Sequence, residues 1–321
     1  MATSGLYTLG LTFNEISIEA FDLLQIGEDG ETLDGDMKSR SMKSANTMLK
    51  EWQTQGIHLW SYTEGTLFLT VGQAKYDFRE STTHIANTWH ETTTTAATTA
   101  DSYTFNVTNG SNFQVDDVVG IIQNDNNIFW TTIKIISTLA ITVADAITLA
   151  TLSGAYVRNY RPSTSISPAL IPISRIKTKG IRRKETTDYE IPIVDASRQE
   201  YFDLPNKEQT GTPIQAYYSR QDIAGESAGI MYLWNSPSSS KPVINFTYER
   251  KLQIFSSVDD TADIPEFAQE AFIYNLAVKL ITKYGCSPAR SQYLKEEAFR
   301  LKSDMLSFDA EMKPIKVKLR A

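Results

Sequence analysis

The side chains able to do acid–base chemistry are few and scattered. Carboxylates gather at Asp116 with Asp117, and again at Asp259, Asp260 and Asp263, and a facing pair could hydrolyse a glycosidic bond. Their settings point elsewhere. The first pair borders a turn in a strand-rich stretch, and the second group precedes a helix, where negative charge complements the macrodipole. His84 and His90 lie close together in a Thr-rich stretch, His58 is distant, and the single cysteine, Cys286, is far downstream. None of this has zinc-ligand spacing. No G-x-S-x-G elbow, Walker A loop or dinucleotide-binding glycine fingerprint occurs. The expectation is a protein that is not an enzyme, with no catalytic residue, no metal and no cofactor.

Two basic segments remain as candidates for contact. Lys177, Lys179, Arg182, Arg183 and Lys184 surround Gly180 and could meet phosphate or another chain; the plainer alternative is a solvated loop between strands. Near the C-terminus Lys313, Lys316, Lys318 and Arg320 alternate with Ile315, Val317 and Leu319, a pattern suited to adding a strand to another protein's sheet edge. The chain as a whole is acidic, with 38 acidic and 31 basic residues among 321 and a net charge of -7. That excludes a protein whose whole surface grips nucleic acid, and permits a wall past which DNA slides. Hydrophobic residues at 41% and charged residues at 21% are the composition of a folded globular chain. Met1 to Gly10 carries no secretory signal, and no stretch approaches the roughly 20 apolar residues of a membrane span. Synthesis and retention in a cytoplasm, without membrane insertion, are therefore expected.

The elements that must position these residues follow from periodicity. Asn14 reads as an N-cap, after which Ile16, Ala20, Leu23 and Leu24 share a helical face up to Gly27. Met37, Ser41, Ser44, Met48 and Trp52 mark a second helix ending at Gly56. Thr66 to Val71 and Gln73 to Phe78, around Gly72, read as a hairpin. From Thr82 to Ala100 the chain is Thr-rich and loses helical period. Short strands follow at 102–107, 118–123, 128–136, 141–143 and 155–160, with turns at Asn109-Gly110 and Asn124 to Asn127. Strands resume at 171–177, 188–193, 214–220, 230–234 and 243–252. Pro265 opens a helix whose apolar stripe is Phe267, Ala271, Tyr274, Val278 and Ile281; a second stripe, Leu294, Ala298, Leu301 and Met305, follows a break at Gly285 to Pro288 that includes Cys286.

This order predicts an α+β fold, with N- and C-terminal helix pairs forming one helical bundle around a central antiparallel β-region, which carries an inserted small β-barrel or sandwich. The expected divisions are 1–81 (helix pair and first hairpin), 82–162 (inserted β-domain), 163–255 (β-region), 256–312 (closing helix pair) and 313–321 (basic extended tail).

Three stretches carry a family resemblance. The first is Ile16 to Trp60, with AFDLLQIG, ANTMLKEW and GIHLW. The second is YFDLPNKEQTGTPIQAYYSRQ, from Tyr201 to Gln221, followed by MYLWNSP and INFTYERKL. The third is DIPEFAQEAFIYNLAVKLITKYG with the YLKEEAFRLKSDML helix after it. In this order they resemble the head-to-tail adaptor family of short-tailed bacteriophages, the tail accessory and tail tubular A-type proteins placed beneath the portal. The resemblance covers most of the chain outside residues 82–162; the inserted stretch resembles β-modules present in some such adaptors and absent from others.

The resemblance implies a structural subunit of the virion neck, closing with copies of itself into a ring expected to be a dodecamer. The ring would bind the portal protein, extend the channel for double-stranded DNA without reading its sequence, and provide a platform for tail nozzle and tail fibre proteins. Lys313, Ile315, Lys316, Val317, Lys318, Leu319 and Arg320 are then the expected contact to portal or neighbouring subunit, and Lys177 to Lys184 a possible contact to DNA or another chain. The alternatives are a different tail component, such as a nozzle or fibre-anchoring protein, and a tail-borne cell-wall hydrolase using Asp116 or Asp117.

Overall fold

The computed structural model describes residues 10–26, 33–55, 59–162, 173–186, 189–220 and 229–308. The chain is mixed α/β and divides into two units, residues 1–61 with 251–321, and residues 62–250. Gly27, Glu28 to Gly30, Gly56, His58 and the tail Lys313 to Arg320 lie outside the described residues.

The helices are α1 (Phe13–Leu24), α2 (Gly35–Thr54), the short α3 (Arg198–Phe202), α4 (Glu266–Tyr284) and α5 (Pro288–Phe308). All but α3 belong to the first unit. The α1 cap is Thr12, not Asn14: the Thr12 hydroxyl accepts from Glu15 N at 3.3 Å, and the Glu15 carboxylate accepts from Thr12 N at 2.8 Å. Two orphan donors of the first turn are thereby satisfied reciprocally. Asn14 sits two residues too far in to do this. The four long helices share one hydrophobic core, including Phe13, Ile16, Phe21, Met48, Trp52, Phe272, Leu276 and Leu294. Each such side chain, fully buried, contributes about 1.5–3 kcal/mol. Trp52 meets Phe272 edge to face, with ring centroids 5.6 Å apart. Asn46 fastens the returning chain: its side chain donates to Phe255 O and accepts from Phe255 N, both at 2.9 Å.

The α4 stripe is displaced from the expected one. Ala268, Ala271, Phe272, Leu276, Ala277 and Leu280 are buried, whereas Tyr274, Val278 and Ile281 are half-buried and Phe267 is exposed. The reason is that α4 packs against α1, α2 and α5, so apolar residues run most of the way round it and periodicity alone does not select the innermost face. On α5 the expected Leu294, Ala298 and Met305 are buried, and Leu301 is half-buried.

The second unit contains, in chain order, β1 (Tyr62–Phe68), β2 (Lys75–Asp77), β3 (Ile85–Ala86), β4 (His90–Thr93), β5 (Thr104–Asn106), β6 (Val118–Ile122), β7 (Ile128–Ser137), β8 (Ala140–Val143) and β9 (Tyr156–Tyr160). It continues with β10 (Ile173–Thr186), β11 (Tyr189–Pro192), β12 (Val194–Asp195), β13 (Thr210–Gly211), β14 (Gln215–Ser219), β15 (Ile230–Trp234), β16 (Ser236–Pro237) and β17 (Val243–Arg250). A sheet in the order β11-β10-β17-β1-β3 and another in the order β12-β14-β15-β2 enclose a core of Leu67, Leu69, Tyr76, Phe78, Ile181, Met231, Leu233, Ile244 and Phe246.

The expected hairpin at 66–78 does not form. Its first arm, β1, pairs with β17 and β3, while its second, β2, pairs with β15 in the other sheet. The crossing is fixed by the Tyr76 hydroxyl, which donates to Thr70 O and accepts from Thr70 N, and by Gly72, whose φ of +77° suits glycine and whose N–H donates to Pro237 O at 2.8 Å. Leu67 and Leu69 on one side and Tyr76 and Phe78 on the other enter the same core. A hairpin and a sheet-to-sheet crossing thus bury the same alternating residues.

Strands β4 to β9 form a six-stranded sheet in the order β4-β9-β6-β7-β8-β5 around Phe105, Val119, Ile121, Ile133, Ile141 and Val157. Its edges meet at the Thr94–Val107 bridge, supported by Thr95 N to Asn106 O at 3.0 Å and Thr108 N to Thr93 O at 2.8 Å. A curled sheet of this kind leaves little open edge. The Thr-rich stretch, in which no helical period is visible, supplies β3 and β4.

Candidate functional site

The basic run is not a loop. Lys177 to Lys184 lie within β10, which carries a bulge where the register to β17 slips between Ile176 and Ile181. Strand alternation then sends the cations to both faces. Arg183 is buried; its guanidinium pairs with Glu185 at 2.5 Å and donates to the Pro213 carbonyl. Arg182 faces the other way and pairs with Glu64 at 2.6 Å and Glu190 at 3.3 Å. The Lys177 ammonium lies 4.6 Å from the centre of the Tyr62 ring, and the Lys184 ammonium 5.3 Å from that of Trp89, both within cation–π range. Lys179 is exposed in the bulge with φ +60°. The structure brings this run together as a strand whose charges are mostly engaged by its own unit.

A second cation, unremarked in the sequence, joins the curled sheet to the strands around it. Arg158 of β9 has a side chain only 3% exposed and pairs with Glu91 of β4 at 2.8 Å. It also donates to the carbonyls of Ser240 (2.9 Å) and Lys241. Burial lowers the Arg158 pKa, and Glu91 opposes that shift. Beside it Phe68 and Tyr160 stack at 5.9 Å, and Trp130 stacks on His84 at 4.1 Å. Trp130 can lie there because its register partner is Gly120: a Cβ at that position would come within 2.7 Å of the Trp130 ring. His84 Nδ1 and the Tyr160 hydroxyl are 2.7 Å apart, and burial pushes the His84 pKa down to about 4. These groups link the inserted strands to the strands and turn packed against them.

The carboxylates have structural work. Asp117 is buried, pairs with Arg161 at 3.0 Å, and accepts from Gln114 N and the Asn159 amide, each at 2.9 Å. Asp116 is exposed, at φ +69°. Asp260 accepts from Ser256 N at 2.6 Å and Ser257 N at 2.7 Å, and these backbone donors hold its carboxyl below the usual range. Asp263 accepts from Gln253 N at 2.9 Å. Both therefore brace the loop leading into α4. Among the described residues no three His, Cys, Asp or Glu side chains gather to hold a metal, and no helix is long and apolar enough to cross a membrane.

Sequence reasoning also passed over an aromatic face. Helix α3 begins at Ser197, whose hydroxyl accepts from Glu200 N while Glu200 returns the bond to Ser197 N. The S-x-x-E spacing was the available signal. The helix places Tyr201 5.2 Å from Tyr232, which stacks on Tyr217 at 5.8 Å, while Phe202 is half-exposed with Arg198 and Lys207 over its ring.

No family model and no curated protein matches the chain. Among solved structures, it is similar to the tailspike of Acinetobacter baumannii bacteriophage AP22, solved in complex with A. baumannii capsular saccharide, at 16% identity over 23% of this chain, with a TM-score of 0.21. The chain spans 15% of that structure. A likeness of this extent carries neither fold nor function.

Proposed function

We propose that the protein is a structural component of a short-tailed phage tail, and more specifically a head-to-tail adaptor subunit that works by assembly and not by catalysis. The observation that carries this reading is the return of the chain ends. Helices α1 and α2 from one end and α4 and α5 from the other share a single core, and the whole β-region lies between them in sequence. The three stretches resembling the adaptor family fall on these helices and on β14, β15 and β17.

In this reading the helices form a bundle that makes the ring, expected to be dodecameric, with heterologous contacts closing on themselves. Apolar side chains left exposed on α5, Phe299 at 77% and Phe308 at 73%, supply area for a neighbour. The ring sits under the portal at the virion neck, extends the DNA channel, and presents the curled sheet and aromatic face to nozzle and fibre proteins. The tail Lys313 to Arg320, with its alternating Ile315, Val317 and Leu319, pairs with portal or neighbour.

Electron microscopy of the purified chain, alone and mixed with its portal, tests the proposal. A closed ring in either sample is expected; single particles without rings in both would overturn it. Deleting residues 313–321 is expected to leave the melting temperature within about 2 °C while abolishing portal binding.

A further inference from the structure

The two basic segments noticed in the sequence are not the only concentration of positive charge. An open cleft of about 370 Å³ lies between α2 and α4, lined by Lys43, Ser44 and Thr47 from one helix and Lys279, Thr282 and Lys283 from the other. The spacing explains the convergence: 43 and 47, like 279 and 283, are one helical turn apart and so share a face. Every lining side chain is a lysine or a hydroxyl.

The charges here are only partly engaged. The Lys283 ammonium donates to Ser44 Oγ at 2.6 Å and Arg40 O at 3.2 Å, neither of them anionic. Lys279 pairs with Glu51 at 2.6 Å, and that contact holds the Glu51 carboxyl below its ordinary range. The exposed Lys43 ammonium has no ion-pair partner among the described residues. Three lysines thus face one carboxylate, in a chain whose net charge is -7. Ser44, Thr47 and Thr282 donate to carbonyls of their own helices, which leaves the lysine N–H groups as the donors toward a ligand.

We propose that this cleft binds phosphate groups of a nucleic-acid backbone, with Lys43 and Lys283 as the main contacts and Lys279 restrained by Glu51. A lysine ammonium is a compact point charge that binds phosphate without the planar two-pronged geometry through which arginine grips carboxylate or phosphate. The cleft also offers no apolar or aromatic side chain to anchor an acidic peptide. A phosphodiester backbone needs neither, and its binding is dominated by charge. The inference stands on the cleft itself and does not depend on the ring.

The test is fluorescence anisotropy of the full chain with a labelled duplex DNA of mixed sequence, between about 50 and 200 mM salt. K43Q combined with K283Q is expected to weaken binding roughly tenfold at the lower salt and to flatten the slope of log K against log salt by about 2. E51Q, which releases Lys279, is expected to tighten binding several-fold and steepen the slope by about 1. Unchanged affinity and slope in the double variant, or no duplex binding by the parent at low salt, would overturn the proposal. So would a poly-glutamate peptide that competes as well as DNA of equal charge. Should the double variant fail to fold, E51Q decides: an unchanged affinity rejects the cleft.

Discussion

The basic strand β10 and the lysine cleft of α2 and α4 are opposite solutions to placing positive charge. In β10 five cations lie within eight residues, yet strand alternation splits them between faces, and glutamates and aromatic rings engage most of them. In the cleft the lysines come from distant parts of the chain and are gathered by helix packing, with a single carboxylate among them. Closeness in sequence therefore says little about a phosphate site unless the secondary structure is known. A run of basic residues on a strand makes two half-patches; the same number on adjoining helix faces makes one.

That contrast predicts the cations of the β unit to matter for stability and those of the cleft for binding. The largest effect belongs to Arg158. Arg158→Ala leaves Glu91 and the carbonyls of Ser240 and Lys241 without their donor in a buried site, at a cost of about 3–5 kcal/mol. Urea unfolding followed by tryptophan fluorescence measures it. Arg182→Ala, which removes a partly exposed pair with Glu64 and Glu190, is expected to cost less than about 1 kcal/mol. Equal losses in the two variants would break the distinction between buried latch and surface pair.

His84 sharpens the same point through pH. Its pKa is about 4 in the folded protein because of burial, against 6.5 when unperturbed. Above pH 6.5 the ring is neutral in both states and the folded site loses nothing. As pH falls from there toward 4, the unfolded chain takes up a proton that the buried ring refuses, so stability declines across that window by about 2–3 kcal/mol. The difference in urea midpoint between the parent and His84→Gln, followed from pH 7.5 to about 4, is expected to shrink as pH falls. A difference independent of pH would show that burial does not control this ring.

Gly120→Ala is a smaller perturbation at the same junction. The new methyl would meet the Trp130 ring and the end of Ile128, and overpacking of this kind costs about 1–2 kcal/mol. A change in tryptophan emission should accompany the lower melting temperature, because the ring must shift.

How much of this was legible depended on whether the deciding contact was local. The strands of the curled sheet were readable because β-branched runs alternate with turn residues such as Asn126, which takes φ +63°. The helices at both ends were readable from their stripes, although the innermost face of α4 was not, since three neighbours make it apolar nearly all round. The sheet-to-sheet crossing at Gly72 was hidden because its burial pattern equals that of a hairpin. Helix α3 had a readable S-x-x-E cap. The Arg158 latch and the lysine cleft had no local signature, because each joins residues far apart in the chain.

The smallest expected effect is also the most discriminating. Lys177 and Lys184 lie over Tyr62 and Trp89, where a cation–π contact contributes about 0.5–1 kcal/mol. Replacing both with Gln should lower stability by no more than that per site. It should leave DNA affinity within about twofold and the salt slope unchanged, because a lysine held over a ring and away from phosphate displaces no counterion from the DNA. Anisotropy under the conditions used for the cleft variants gives the comparison directly. If K177Q with K184Q weakens DNA binding as much as K43Q with K283Q, the strand is a phosphate site after all, and the aromatic rings beneath its lysines would be presenting the charges and not engaging them. If only the cleft variants lose affinity, the division of labour holds: strand cations fasten the β unit, and helix lysines face outward for a polyanion.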